Sequence, residues 1–172
     1  MNIHTIILAA GEGSRMKSKR AKSLQRVGGK TMLEMICKTA ESISAKITLI
    51  VGFDKNSIIS ESKSFDFEIS TCEQASPIGT GDAVKCGINE VDDADKVLVL
   101  YGDVPLIKKE TLENLVSIDD KSLTILSTKV DNPFGYGRVI KDNDGNVTQI
   151  IEEKDASNAD KKISEIFTGI LC

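Results

Sequence analysis

The 172-residue sequence contains no tryptophan, three prolines and a single histidine. The shortage of histidine removes chemistry. A Ser-His-Asp or Cys-His relay would have to run through His4, at the start of the first strand-like run, and nothing around it supports that role. The four cysteines, Cys37, Cys72, Cys86 and Cys172, are widely spaced and form no CxxC pair, which with one histidine argues against a Cys/His zinc site. Cys37 and Cys86 fall in helix-like apolar patterns and read as small core residues with reduced thiols. The apolar runs, such as 6–10 and 97–101, are strand-sized and far short of a membrane span. No charged leader or cleavage pattern precedes the first strand, so the expected compartment is cytoplasmic. The net charge of −4 disfavours nucleic acid and anionic membranes as partners of the chain as a whole. Any catalysis must therefore use carboxylates, lysine, arginine, backbone amides or a metal.

What is present is an alternation. Strand-like runs at 3–9, 47–51, 67–72, 96–101 and 123–130 alternate with helix-spaced segments at 31–45, 55–64, 81–91 and 108–118. "TIILA", "ITLIV" and "VLVLY" are almost continuously apolar, as strands covered on both faces tend to be. Leu33, Ile36, Ala40 and Ile43 form one apolar stripe on the first helix. The pattern predicts an α/β fold with a mostly parallel mixed sheet flanked by helices. After residue 130, two alternating strands around Asp142-Asn143-Asp144-Gly145-Asn146 predict a β-hairpin, and "ISEIFTGILC" reads as one more strand. The length fits a single domain, 1–172.

Residues 8–30, "LAAGEGSRMKSKRAKSLQRVGGK", gather seven Lys/Arg beside the first glycines of a net-acidic chain. Gly11 and Gly13 follow a buried-type strand, where backbone N–H groups can face an anion. A Rossmann fingerprint fails at Met16, where a third small residue is required. A Walker A loop fails at Leu24, where its first glycine would fall. Arg15 can offer a planar fork to phosphate oxygens and Lys22 a compact charge, while Lys17, Lys19 and Arg20 read as solvated.

Five segments in order carry a resemblance: "LAAGEGSRM" with "AKSL" and "GGKTML", then "CEQASPIGTGDAV", "LYGDVPL", "NPFGYGRVI" and "IIEEKDA". Together they resemble the signature of sugar-1-phosphate nucleotidyltransferases. In order and spacing they are similar to the N-terminal uridylyltransferase domain of the bacterial bifunctional N-acetylglucosamine-1-phosphate uridylyltransferase/glucosamine-1-phosphate acetyltransferase family. The resemblance implies a Rossmann-like nucleotidyltransferase fold and transfer of UMP from UTP to N-acetylglucosamine 1-phosphate. The products would be UDP-N-acetylglucosamine, a precursor for peptidoglycan and lipopolysaccharide, and pyrophosphate. It also implies roles. Leu8, Ala9, Ala10, Gly11 and Gly13 would bind the nucleotide, with Arg15 and Lys22 as catalytic cations. Gln74, Gly79 and Thr80 would hold the uridine, although Thr80 also fits a helix N-cap. Tyr101, Gly102, Gly137 and Glu152 would hold the sugar, with Lys154 as a weaker candidate, and Asp103 would hold Mg²⁺. Two alternatives stay open: another sugar- or alditol-phosphate as substrate, or a fragment that binds nucleotide without turnover.

Three positions depart from the family pattern. Ala21 replaces a proline, which would loosen the presentation of Lys22. Asp82 replaces a histidine and would add negative charge beside the nucleotide loop. Phe167 replaces an asparagine that contacts substrate, and an aromatic ring cannot supply its hydrogen bonds. A second metal-binding asparagine and a left-handed β-helix domain would lie beyond residue 172. The 172 residues alone are therefore expected to be a truncated, weak transferase. A last strand left with an open edge would make self-association possible.

Overall fold

The computed structural model describes all residues except 14–15, 77–78 and 119–122, so Arg15 lies outside the described residues. Strand β1 (Ile3–Leu8) is buried along its whole length. It runs between two parallel neighbours, β4 (Lys46–Val51) and β6 (Lys96–Tyr101), and β5 (Ser70–Glu73) continues the parallel half beyond β4. Helices α1 (Met32–Glu41), α2 (Lys55–Ser62) and α4 (Lys109–Ser117) send Leu33, Ile36, Ile58 and Leu112 into the core on one sheet face, with Ile7, Leu49 and Leu98. The alternate residues Ile6, Ile50 and Val99 face the opposite side, where α3 (Thr80–Ile88) packs Ala83. Two covered faces leave no solvent side on these strands, hence their unbroken apolar sequences.

The second half is antiparallel. Strands β7 (Ile125–Lys129), β8 (Arg138–Lys141), β9 (Val147–Ile151) and β10 (Glu165–Leu171) complete an eight-stranded sheet in the order β5-β4-β1-β6-β10-β8-β9, with β7 also paired to β10. The expected mixed sheet and hairpin are present. In the turn between β8 and β9, the Asp142 carboxylate accepts from the amides of Asp144 (3.0 Å) and Asn146 (2.8 Å), which holds it below the usual carboxylate range.

Several boundaries differ from the sequence pattern. Strand β5 begins at Ser70 rather than 67, because the rings of Phe65 and Phe67 stack at 5.6 Å and pack on the core. Helix α1 stops at Glu41, since by Ala45 the backbone N–H already donates to the Ile3 carbonyl at 2.9 Å. The "GGK" segment does not lead straight into a helix. Gly28 and Gly29, with φ +61° and +90°, turn a small hairpin between β2 (Arg26–Val27) and β3 (Lys30–Thr31). The last strand is not an edge either: β10 lies inside the sheet, between β6 and β8. No helix among the described residues is long and apolar enough to cross a membrane.

Gly87 is where α3 closes on the sheet. A Cβ there would lie 2.7 Å from Ile6 Cγ2 and 3.0 Å from Ile50 Cδ1. Gly87→Ala is expected to cost about 1–3 kcal/mol through overpacking, read by urea denaturation. His4 gives a pH prediction. Its ring is buried, with Nε2 2.8 Å from Thr48 Oγ1 and Nδ1 without a partner among the described residues. Burial first, then Lys46, lowers its pKa below 6.5, against weaker opposing pulls from Asp92 and Glu90. A lowered folded-state pKa means that stability is intact above pH 6.5 and falls as the pH drops below it. One such proton accounts for at most about 1.4 kcal/mol per pH unit. Urea midpoints at pH 7.5 and 5.5 should differ less in His4→Gln than in the unaltered chain.

Candidate active site

Strands β1 and β6 end side by side at their C-terminal ends, where open parallel sheets place ligands. There a cleft of about 360 Å³ opens. Leu8, Ala9, Ala10, Gly11, Gly13 and Lys22 line it from the N-terminal loop. Gln74 and Gly79 line it from the segment before α3, Thr80 from the first turn of α3, and Tyr101, Gly102 and Asp103 from the end of β6. Residues separated by up to ninety-odd positions thus meet on one surface.

The glycine loop has a specific geometric cause. Gly13 has φ +65°, and a Cβ on it would sit 2.7 Å from Lys22 Cβ. Only glycine lets the lysine stem pass so close to the loop. Lys22 itself begins a short 3-10 turn, Lys22–Leu24. The residue before it, Ala21, has φ −51°, a value proline would also take. Its N–H donates to Asp54 Oδ2 at 3.1 Å, a bond proline lacks. Alanine therefore does not loosen this position; a different tether fixes it.

Lys22 Nζ and Asp103 Oδ2 are 2.5 Å apart. The residue assigned to the triphosphate and the one assigned to the metal are thus partners of each other. Among the described residues no cluster of three or more His, Cys, Asp or Glu side chains could hold a metal. Asp103 is a single carboxylate in a cleft, and Mg²⁺ is commonly held by one or two carboxylates plus substrate phosphates. The donor set fits such an ion when a nucleotide supplies the remaining oxygens.

Near α3, Thr80 is not the N-cap. Gly79, with φ +131°, takes that place and Thr80 is the first helical residue. Burial raises the pKa of Tyr101, and a hydrogen bond with the Thr80 side chain opposes the shift. Gln74 Nε2 donates to the Gly79 carbonyl at 3.1 Å and to Asp82 Oδ2 at 2.9 Å. Asp82 is therefore a hydrogen-bond acceptor for Gln74, not a loose charge beside the loop.

Gly137 and Glu152 do not line this cleft; they adjoin one another on the antiparallel half. A Cβ at Gly137 would be 3.5 Å from Glu152 Oε1, and the Gly137 carbonyl accepts from the Phe167 amide at 2.9 Å. Lys154 is exposed. The sequence reading passed over Arg138, which is 1 % exposed. Its guanidinium donates to Glu153 Oε2 at 2.6 Å and to the Tyr136 carbonyl, clamping the 135–138 loop. That bond, with one from the Gly135 amide, holds Glu153 below the usual carboxylate range. Met16, Ser23 and Ala83 also line the cleft unanticipated. Ala83, three positions after Thr80, was reachable from helical spacing. Ser23, whose buried Oγ has no partner among the described residues, was not.

Residues 5–140 match the family model of the MobA-like NTP transferase domain. The chain is 43% identical over 169 residues to the bifunctional protein GlmU of Psychrobacter sp. (strain PRwf-1), covering 98% of this chain and 37% of that protein. It is 42% identical over 175 residues to the bifunctional protein GlmU of Clostridioides difficile (strain 630), covering 100% and 38%. The chain thus spans little more than a third of the length of these relatives. A putative glucose-1-phosphate thymidylyltransferase from Bacillus anthracis superposes with TM-score 0.76 at 22% identity, over 98% of this chain and 70% of that one. The corresponding values for HddC from Yersinia pseudotuberculosis are 0.70, 24%, 98% and 75%. At these identities the solved structures speak for the fold alone.

Proposed function

This chain belongs to the MobA-like NTP transferase family, and we propose that its cleft transfers UMP from UTP to N-acetylglucosamine 1-phosphate. One observation carries the reading: Gly11, Gly13, Lys22, Gln74, Gly79, Thr80 and Asp103 converge on one cleft at the strand ends. A phosphate oxygen of the sugar phosphate attacks the α-phosphorus of UTP in line. The bond from that phosphorus to the α–β bridging oxygen breaks, and pyrophosphate leaves with the bonding pair. No covalent enzyme intermediate is required, so the protein's work is positioning and charge stabilisation.

Backbone amides of Gly11 and Gly13 face the triphosphate, and Lys22, anchored on Asp103, directs its remaining ammonium protons to phosphate oxygens. Asp103 would hold Mg²⁺, which when bound neutralises phosphate charge. Gln74 and the Gly79–Thr80 backbone take the uracil. Gly137, on the loop clamped by Arg138, and Glu152 beside it take the sugar. The reading assigns the chain to the nucleoside triphosphate pool of the cytoplasm.

The test is turnover of the purified chain with Mg²⁺, four nucleoside triphosphates and a panel of sugar and alditol phosphates, with products identified by mass spectrometry. UDP-N-acetylglucosamine should exceed every other product at least tenfold. A different dominant product reassigns the substrate, and nucleotide binding without any product leaves a binding module. Phe167 favours keeping the panel broad, since its amide tie to Gly137 sets an aromatic residue beside the sugar loop.

A further inference from the structure

We propose that Asp82 is a positioning residue that locks the Gln74 amide in one orientation and thereby sets the choice between pyrimidine bases. The inference rests on the uridine reading above. It begins with hydrogen-bond bookkeeping at one side chain. Gln74 is 7 % exposed, so water is not a ready substitute for protein partners. Its Nε2 has two protons, one facing the Gly79 carbonyl at 3.1 Å and the other facing Asp82 Oδ2 at 2.9 Å. Both partners are pure acceptors. Turning the amide over would set Gln74 Oε1 against two oxygens, so chemistry alone fixes which end is which.

With both donors consumed, Gln74 has only Oε1 to offer the cleft it lines. An acceptor at that point recognises a ring N–H. Uracil carries one at N3, whereas cytosine carries a lone pair at the same place. Cytosine in the same pose would oppose two acceptors, leaving both unpaired in a site with little water. A free glutamine would rotate and serve either base. Asp82 makes that rotation costly. It sits in the first turn of α3, where a carboxylate is also favoured by the helix dipole, so the helix holds it in place. Gly79, the cap residue of the same helix, supplies the second acceptor.

The experiment compares UTP and CTP affinities by calorimetry in the unaltered chain, Asp82→Ala and Asp82→Asn. Side-chain amide proton exchange of Gln74 is followed by NMR, the signals being assigned by their loss in Gln74→Ala. The unaltered chain should prefer UTP at least tenfold. Asp82→Ala should shrink that ratio severalfold and speed Gln74 amide exchange about tenfold. Asp82→Asn, which keeps an acceptor oxygen, should retain most of the preference and most of the protection. An unaltered chain that binds UTP and CTP alike overturns the uridine reading, and base selection with it. A UTP preference that survives Asp82→Ala unchanged overturns the role of Asp82 alone. So does a Gln74 amide that exchanges equally fast in both proteins.

Discussion

Replacing Asp103 by alanine should lower kcat/KM for nucleotidyl transfer by two to three orders of magnitude, and Lys22→Ala should do the same. A preorganised charge aimed at a developing anion is worth roughly 3–4 kcal/mol in enzymes of many kinds. Both side chains face the cleft within 2.5 Å of each other, so they act on the same charge. The double variant should therefore lose little more than either single one, because groups that act as a unit are not additive. Stability should move much less. The Asp103 side chain is 29% exposed and Lys22 39%, so either one left alone rehydrates, and the pair contributes no more than about 1 kcal/mol. Lys17, which is exposed, should tolerate alanine with near-normal rates. The Mg²⁺ dependence of Asp103→Ala is the decisive readout. A titration curve superimposable on that of the unaltered chain would remove Asp103 from the metal, and equal losses for Lys17→Ala and Lys22→Ala would reduce the loop to a diffuse basic surface.

The second large effect is on folding. Gly169 has φ +87°, and a Cβ on it would lie 2.4 Å from Cε2 of Tyr101. The register of β10 against β7 shifts in this stretch, between Phe167 and Leu171. Gly169→Ala must strain the backbone and displace a ring wedged at the cleft, which together should cost about 2–4 kcal/mol. For a domain of ordinary stability, about 5–15 kcal/mol, that is a large fraction. A urea midpoint change equivalent to less than about 0.5 kcal/mol would show that the ring and strand yield freely. Tyr101 lines the cleft and is assigned to the sugar, so affinity for the sugar phosphate should fall in the same variant even where it remains folded.

The parallel half of the fold was legible because burial on both faces writes itself as unbroken apolar runs, as in β1, β4 and β6. The hairpin was legible from Asp142 to Asn146, where turn chemistry is local. The β2–β3 hairpin was missed because its strands are two residues each, too short for any period. The interior place of β10 was missed because chain order says little about spatial order in a mixed sheet. In the candidate site, residues in contiguous segments were found, and twelve of them line one cleft. Partnerships across the chain were not. Nothing local couples Lys22 to Asp103, Gln74 to Asp82 or Arg138 to Glu153. The bond that ties Asp82 to Gln74 is likewise invisible in the sequence, where Asp82 shows only as a charge.

The interior position of β10 also orders events in time. β1, β4, β5 and β6 make up the parallel half, and all have been synthesised by residue 101. β7 and β8 reach the rest of the sheet only through β10, which arrives more than sixty residues later. On a ribosome, the side of the cleft that carries the glycine loop and Lys22 can therefore assemble first. Gly137 and Glu152, outside that cleft on the antiparallel half, wait until β10 slots in beside β6. Until then β6 presents a bare hydrogen-bonding edge, and this interval is when the nascent chain is most exposed to pairing with the wrong strand.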